Sequence, residues 1–201
     1  MKKSAGYHGI QNAKIAKGET ITPLEYVKNL SLDPQINSTP QHADNRMVLN
    51  IQTHNGFTGN LGSTAKDPAV EKELGYSVDI STGGTGIVGG AGNVTLDGLY
   101  YEFFEEIEKG ARRVVKAWLL SVELSPSSEN YETDADGASF GDYVYPVTVY
   151  GSTLKAATGD TDYIDENGNR LTCYMILSRP DDTGYATFGD AVPVPKIKAE
   201  V

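Results

Sequence analysis

The stretch that most constrains this chain runs from Leu99 to Leu124, LYYEFFEEIEKGARRVVKAWLLSVEL, which holds the densest apolar content and the only Trp. It contains strong helix formers, and as one helix it would span about 40 Å at 1.5 Å per residue. As strands it alternates from Arg113 onward, with Val114, Trp118, Leu120, Val122 and Leu124 on one face. Val115, Ala117, Leu119, Ser121 and Glu123 fall on the other, and Lys116 is the one charged intruder on the apolar face. Glu108-Lys109-Gly110-Ala111 decides the matter. Gly110 supplies the positive φ of a short hairpin loop with a bulge, whereas in mid-helix it would cost about 1 kcal/mol. A hairpin turning at Lys109-Gly110 is expected, with Trp118, Leu120 and Val122 as core anchors.

Around that hairpin, 22 Gly, 12 Tyr and frequent Thr, Val, Asn and Asp favour a mainly β fold of short strands and turns. A chain of 201 residues buries a self-sufficient core and fits a single domain. No apolar run is long enough to span a bilayer, and Met1-Lys2-Lys3 leads into no apolar leader segment, so synthesis in a cytoplasm is expected. The lone Cys173 excludes an internal disulfide, and with three His no structural zinc site is expected. A net charge of −10 argues against a phosphate-gripping nucleic-acid surface. The acidity is uneven: residues 121–201 hold 14 acids against 5 bases.

In chain order, residues 1–20 read as a flexible N-terminal arm, and residues 21–201 as one β-rich domain. Ile21 to Ile36 gives one strand ended by Asp33-Pro34. Met47, Leu49, Ile51 and Thr53 alternate with Val48, Asn50, Gln52 and His54, a half-buried strand. Asn55-Gly56 is a strong turn signal, which makes Phe57 to Leu61 the returning strand. Asp67-Pro68 through Gly75 is a short helix with an N-cap Asp, Pro at its first position and a closing Gly. Tyr76 to Ile80 is a strand, Gly83 to Gly92 a loop, and Asn93 to Leu99 a strand leading into the long hairpin. Residues 127–142 form an acidic loop. Tyr143 to Leu154 is a strand whose Pro146 points to an edge or bulge. Residues 158–201 hold a C-terminal hairpin, turning at Asn167-Gly168 between Asp162–Ile164 and Arg170–Leu177, and an extended tail.

The chemical motifs lack their contexts. Gly84-Thr-Gly86-Ile-Val-Gly89 fits G-x-G-x-x-G, yet a β-type run follows where a helix N-terminus must meet the pyrophosphate. Gly137-Ala-Ser139-Phe-Gly141 spells a nucleophile elbow, but the expected strand before it and helix after it are missing, and His8, His42 and His54 all lie upstream. Glu132-x-Asp134-x-Asp136-Gly137 begins like a calcium loop and has Tyr143 where the bidentate Glu belongs. The turn at Asp165 and Asn167 has Tyr163 as its first ligand position. No catalytic, cofactor or metal site is assigned, and an enzyme is disfavoured.

The order of these features is more specific than any one of them. TPLEYVKNLSLDPQINSTPQHADN, then HNGFTGNL, then the short helix ending in LG, then the long hairpin resembles the major tail proteins of long-tailed, non-contractile phages of Gram-positive hosts. The resemblance covers roughly residues 6 to 155. It is carried by Ala43-Asp44-Asn45, Asn55-Gly56-Phe57-Thr58-Gly59, and Phe104-Glu105 followed by Gly110 and Arg112-Arg113; the region from Thr158 onward departs from it. It implies a tail-tube-type β-sandwich or barrel with one flanking helix, closing as hexameric rings that stack into a tube. It further implies a structural virion protein, assembled in the host cytoplasm, whose partners are its own copies and the tape measure, tail terminator and distal tail proteins. Duplex DNA would pass through without specific binding, along a polar-to-acidic wall. Under it, Asn50, Gln52, His54, Glu102 and Glu106 are candidates to face the lumen. Glu132, Asp134, Asp136, Tyr163 and Asn167, with residues 1–20, are candidates for contacts between rings. The same tube in a phage-derived bacteriocin carries no DNA. The competing reading is a β-sandwich carbohydrate- or receptor-binding module.

Overall fold

In the computed structural model, residues 6–43, 46–89, 94–108, 111–127 and 142–198 are described, with backbone alone for 41–43, 46–51, 69 and 108. The strands before the helix are β1 (Gly6–Lys17), β2 (Thr20–Pro23), β3 (Val27–Ala43) and β4 (Arg46–Ser63). The helix α1 (Pro68–Glu73) and the short strands β5 (Ser77–Asp79) and β6 (Thr85–Ile87) follow. Then come β7 (Thr95–Glu108), β8 (Ala111–Leu124), β9 (Tyr143–Val149), β10 (Ser152–Thr153), β11 (Thr172–Cys173) and β12 (Met175–Ser178).

Leu99 to Leu124 is a hairpin. β7 and β8 pair antiparallel from Thr95↔Glu123 to Glu108↔Ala111, with Ile107 an extra residue before Glu108; Lys109-Gly110, the expected turn, lie outside the described residues. Trp118 faces Tyr100 across the ladder, with ring centroids 5.2 Å apart. This pair centres a sheet ordered β2-β1-β7-β8-β9-β4-β3, with β12 sharing the β8 edge that β9 occupies further along. The fold is mainly β with one short α-helix.

The sheet curls until β1 packs against β3. Its inner face holds the larger core: Leu61, Leu96, Leu99, Leu119, Val122, Leu124, Tyr145, Val147 and Val149, with Val70 and Leu74 of α1. Its outer face holds Ala16, Tyr100, Trp118 and Leu120. Trp118, Leu120 and Val122 are all fully buried. They do not share one face as strand alternation predicts. Leu119 and Val122 lie in one cluster, because Ser121 adopts φ 50° and inverts the alternation. The partner strand inverts at the same level, where Leu96 and Leu99 both turn inward.

Four expectations are corrected. Residues 6–17 are not a free arm: β1 pairs β7, and Ala13, Ile15 and Ala16 are buried, because the small and apolar residues late in this segment supply one edge of the core. The strand expected over Ile21–Ile36 is two strands. β3 runs on through Pro34 and Pro40, which an edge strand tolerates because its outer N–H groups are not needed for a ladder. Asn55-Gly56 is no turn. β4 passes straight through it, with Pro34↔Phe57 and Ile36↔His54 leaving Asn55-Gly56 opposite Gln35 as a bulge. Gly56 has φ 110°, and a Cβ there would lie 2.1 Å from the Val149 carbonyl oxygen, so the glycine admits the end of β9. The C-terminal hairpin is reduced to an Ile164↔Arg170 bridge around Gly168, because the returning segment pairs elsewhere, Thr172–Cys173 with β10 and Met175–Ser178 with β8. α1 and Gly75, at φ 77°, stand where the capping signals put them. β9 pairs β8 from Val147 onward and the Pro146 carbonyl still accepts the Ser125 N–H, so among the described residues only Tyr143–Tyr145 lacks a strand on that side, the edge position Pro146 indicated.

Candidate functional site

The feature most open to a partner is the β3–β4 hairpin. Beyond Pro34 and Phe57 its strands pair, among the described residues, only with each other, down to Ala43↔Arg46, because β9 stops at Val149. That leaves roughly eight residue pairs, about 26 Å of two-stranded ribbon, projecting from the sheet. Ile36, Gln52 and His54 are exposed on it. The Asn50 backbone pairs Pro40, while its side chain lies outside what is described. At the base of the ribbon, His54 meets Phe57 and Tyr174 edge-on at 4.9 and 4.8 Å, and the Tyr174 hydroxyl donates to the His54 carbonyl at 2.8 Å. An arm braced by aromatics at its root keeps its direction.

Glu102 and Glu106 are not beside Gln52 and His54: β8 and β9 separate β7 from β4 in the sheet. They share one face of β7 and are matched across the ladder by Lys116 and Arg112. Glu102 accepts hydrogen bonds from the Tyr100 hydroxyl (2.7 Å), Asn12 (2.8 Å) and Gln11 (3.2 Å). Burial pushes its carboxyl up, but these donors and the charge of Lys116 outweigh it and hold the group below its ordinary range. Glu106 lies 2.9 Å from His8. Both acids therefore belong to a polar β1–β7 seam.

The proposed inter-ring set divides. Glu132, Asp134 and Asp136, like the elbow motif around Ser139, lie outside the described residues. Tyr163 is half-buried and its N–H donates to the Leu154 carbonyl. Asn167 is exposed in a turn organised by Asp165, whose Oδ1 accepts the N–H groups of Asn167 and Asn169. Those hydrogen bonds hold the Asp165 carboxyl below its ordinary range. The G-x-G-x-x-G stretch forms β6 rather than a helix start.

Two features escaped the sequence reading. The segment from Arg179 to Val192 straps the outer face of β1, β7 and β8. Trp118 Nε1 donates to the Phe188 carbonyl at 2.7 Å, Lys116 Nζ to Tyr185 and Ala186, Lys14 Nζ to Gly189, and the Tyr185 hydroxyl to the Val114 carbonyl. These bonds accept on backbone carbonyls or pair ends distant in sequence, so no residue pattern announces them. The second is Glu105, 2% exposed, which accepts from Arg113 at 2.6 Å and from Arg179 at 3.2 Å. Its signal was present: Glu105 continues the inward phase of Tyr101 and Phe103, and a carboxylate on an apolar phase needs a cation. Among the described residues no three metal-binding side chains converge. Neither a protein-family model nor a curated protein matches the sequence.

Proposed function

We propose that the chain is a structural subunit that polymerises as stacked, hexameric rings into a phage tail tube through which DNA passes during ejection. The observation that carries this reading is the outer edge of β3, which no strand pairs among the described residues. It runs along seventeen residues at the margin of the sheet and continues into a ribbon that, among the described residues, is braced only at its root by Phe57 and Tyr174. Such an edge is an invitation to strand pairing, and a protein that remains single blunts it with charge, brevity or cover. Between Val27 and Ala43 only Lys28 and Asp33 are charged among the described side chains, and Lys28 is paired with Asp142. Ring closure between copies covers the edge without a further element. The ordered resemblance of residues 6–155 to major tail proteins supports the same reading, as do the mainly β fold and the short helix beside it.

The reading assigns the chain no catalytic role, cofactor or metal, and gives it as partners its own copies and the proteins that start, measure and end a tail. Net acidity then keeps the tube wall from holding the DNA it conducts. Sedimentation velocity across a concentration series tests it. Growth from small species into very large ones at micromolar concentration and above supports the tube. A single slow boundary at every concentration, with retention on a glycan array, supports the carbohydrate- or receptor-binding module instead.

A further inference from the structure

At the level of Gly56 the sheet forks. From Phe57 to Ser63, β4 is held on both sides, by β3 and by β9. β9 ends at Val149, opposite Phe57, and the lane it leaves beside β8 is taken over by β12, where Met175 pairs Leu119. β4 does not follow into that lane: beyond Gly56, toward Arg46, it pairs among the described residues with β3 alone. One branch of the fork stays on β8, and the other leaves as the ribbon.

The ladder that carries the ribbon past the fork is broken at the same level. Pro34↔Phe57 and Ile36↔His54 flank a step in which Gln35 faces Asn55 and Gly56 together, with Gly56 at φ 110°. A bulge bends its strand and disrupts the cross-strand hydrogen bonds, so the joint is least stiff where the support from β9 also ends. A two-stranded ribbon has no third strand to fix its angle. Gln35 Nε2 donates to Thr58 Oγ1 at 2.6 Å, a tie between β3 and β4 rather than across the fork.

Tyr174 spans the fork. Its backbone belongs to the β8 branch, since its carbonyl accepts the Leu120 N–H at 3.0 Å. Its side chain belongs to the ribbon. The hydroxyl donates at 2.8 Å to the carbonyl of His54, the first paired residue beyond the bulge, and the ring meets His54 and Phe57 edge-on at 4.8 and 6.0 Å. Two glycines clear its way: a Cβ at Gly151 would lie 2.6 Å from the ring, and one at Gly56 3.5 Å.

We propose that the bulge at Gln35 and Asn55-Gly56 is a hinge and that Tyr174 is its latch. With the hydroxyl on the His54 carbonyl the ribbon is held at one angle to the sheet; without it the ribbon swings as a unit while its own ladder stays paired. Phe57 is the fixed side of the joint, because it still pairs Val149. The latch is one hydrogen bond and two ring edges, a holding strength that a contact made by the ribbon can exceed. Hinge and latch rest on the geometry of the single chain; that the contact comes from a neighbouring copy rests on the tube reading.

The test reads the distance between nitroxide labels on Thr39→Cys, exposed on the ribbon, and Val144→Cys, exposed on β9. Pulsed electron–electron double resonance is recorded on the full chain, dilute enough that copies stay apart, with Cys173→Ala in every sample and circular dichroism confirming the fold. A swing of about 20–30° displaces Thr39, five residues beyond Pro34, by roughly 6–8 Å. One narrow distance is expected with Tyr174 in place, and a spread of that size in both Tyr174→Phe and Tyr174→Ala. Tyr174→Phe keeps the ring in its slot and carries the test alone should the alanine variant fail to fold. A control pair, Asn37→Cys and Thr53→Cys, opposite each other in the ladder, is expected to keep its short-range coupling throughout. An unchanged narrow distance in either variant, or a spread already present with Tyr174, overturns the latch. Loss of coupling in the control pair shows a ribbon that melts rather than swings and overturns the hinge. A latched, swinging ribbon in a chain that forms no tubes upholds the device and removes the tube; a rigid one in a chain that forms tubes does the reverse.

Discussion

Trp118 carries two duties that no other residue in the chain can share. It fills the outer core against Tyr100 and ties down the strap through its indole N–H on Phe188. Gly98 makes room for it: a Cβ there would lie 2.8 Å from the indole ring. Trp118→Ala is therefore expected to lower unfolding free energy by about 3–5 kcal/mol, read by denaturant titration. Trp118→Phe should recover part of the packing and none of the bond. Glu105 gives a pH signature. Burial raises its carboxyl, but the hydrogen bonds and charges of Arg113 and Arg179 outweigh that and hold it below the ordinary carboxylate range. A folded pKa below the unfolded one gives stabilisation that is full above the unfolded value and lost as pH falls through the folded value. Stability should thus be level near neutrality and decline below about pH 4.5. Glu105→Gln should lower the neutral plateau by about 2 kcal/mol, less than a fully buried pair because both arginines keep contact with water, and should flatten the acid decline.

At the scale of elements, the projecting ribbon is separable from the core. Among the described residues, those beyond Ile36 and His54 pair only with each other, so they add nothing to the β8–β9–β4 ladder. Replacing residues 38–52 by a short turn is expected to shift the melting temperature by only a few degrees, checked by circular dichroism, and to abolish growth in sedimentation. Elements also show what could be read in advance. The β7–β8 hairpin and α1 were legible because local rules decide them: strand-type alternation in β8, and Asp-Pro with a closing glycine. Asn55-Gly56 misled for the converse reason. A glycine at positive φ serves a bulge as well as a turn, and only the long-range approach of Val149 tells them apart. The strand β1 was missed because its period is broken by bulges at Gly9 and Asn12, both at positive φ. The strap was illegible since its bonds join Lys14, Lys116 and Trp118 to backbone carbonyls more than sixty residues away.

As a whole the described molecule is a curled sheet with α1 packed into its core, a cavity between β1 and β3, an edge strand β3 that no other described strand pairs on its outer side, and a projecting ribbon. In the proposed tube, further copies of the chain cover the edge and the ribbon. The acid-rich second part of the sequence fits a tube that must stay soluble and let a polyanion pass. Low salt should then slow assembly by repulsion between copies and moderate salt should hasten it, measured as the lag before light scattering rises. Electron microscopy of the purified, concentrated chain in negative stain bears on the central claim most directly. Hollow tubes of uniform width with a regular axial repeat are predicted; a field of separate monomers at every concentration and salt would contradict it.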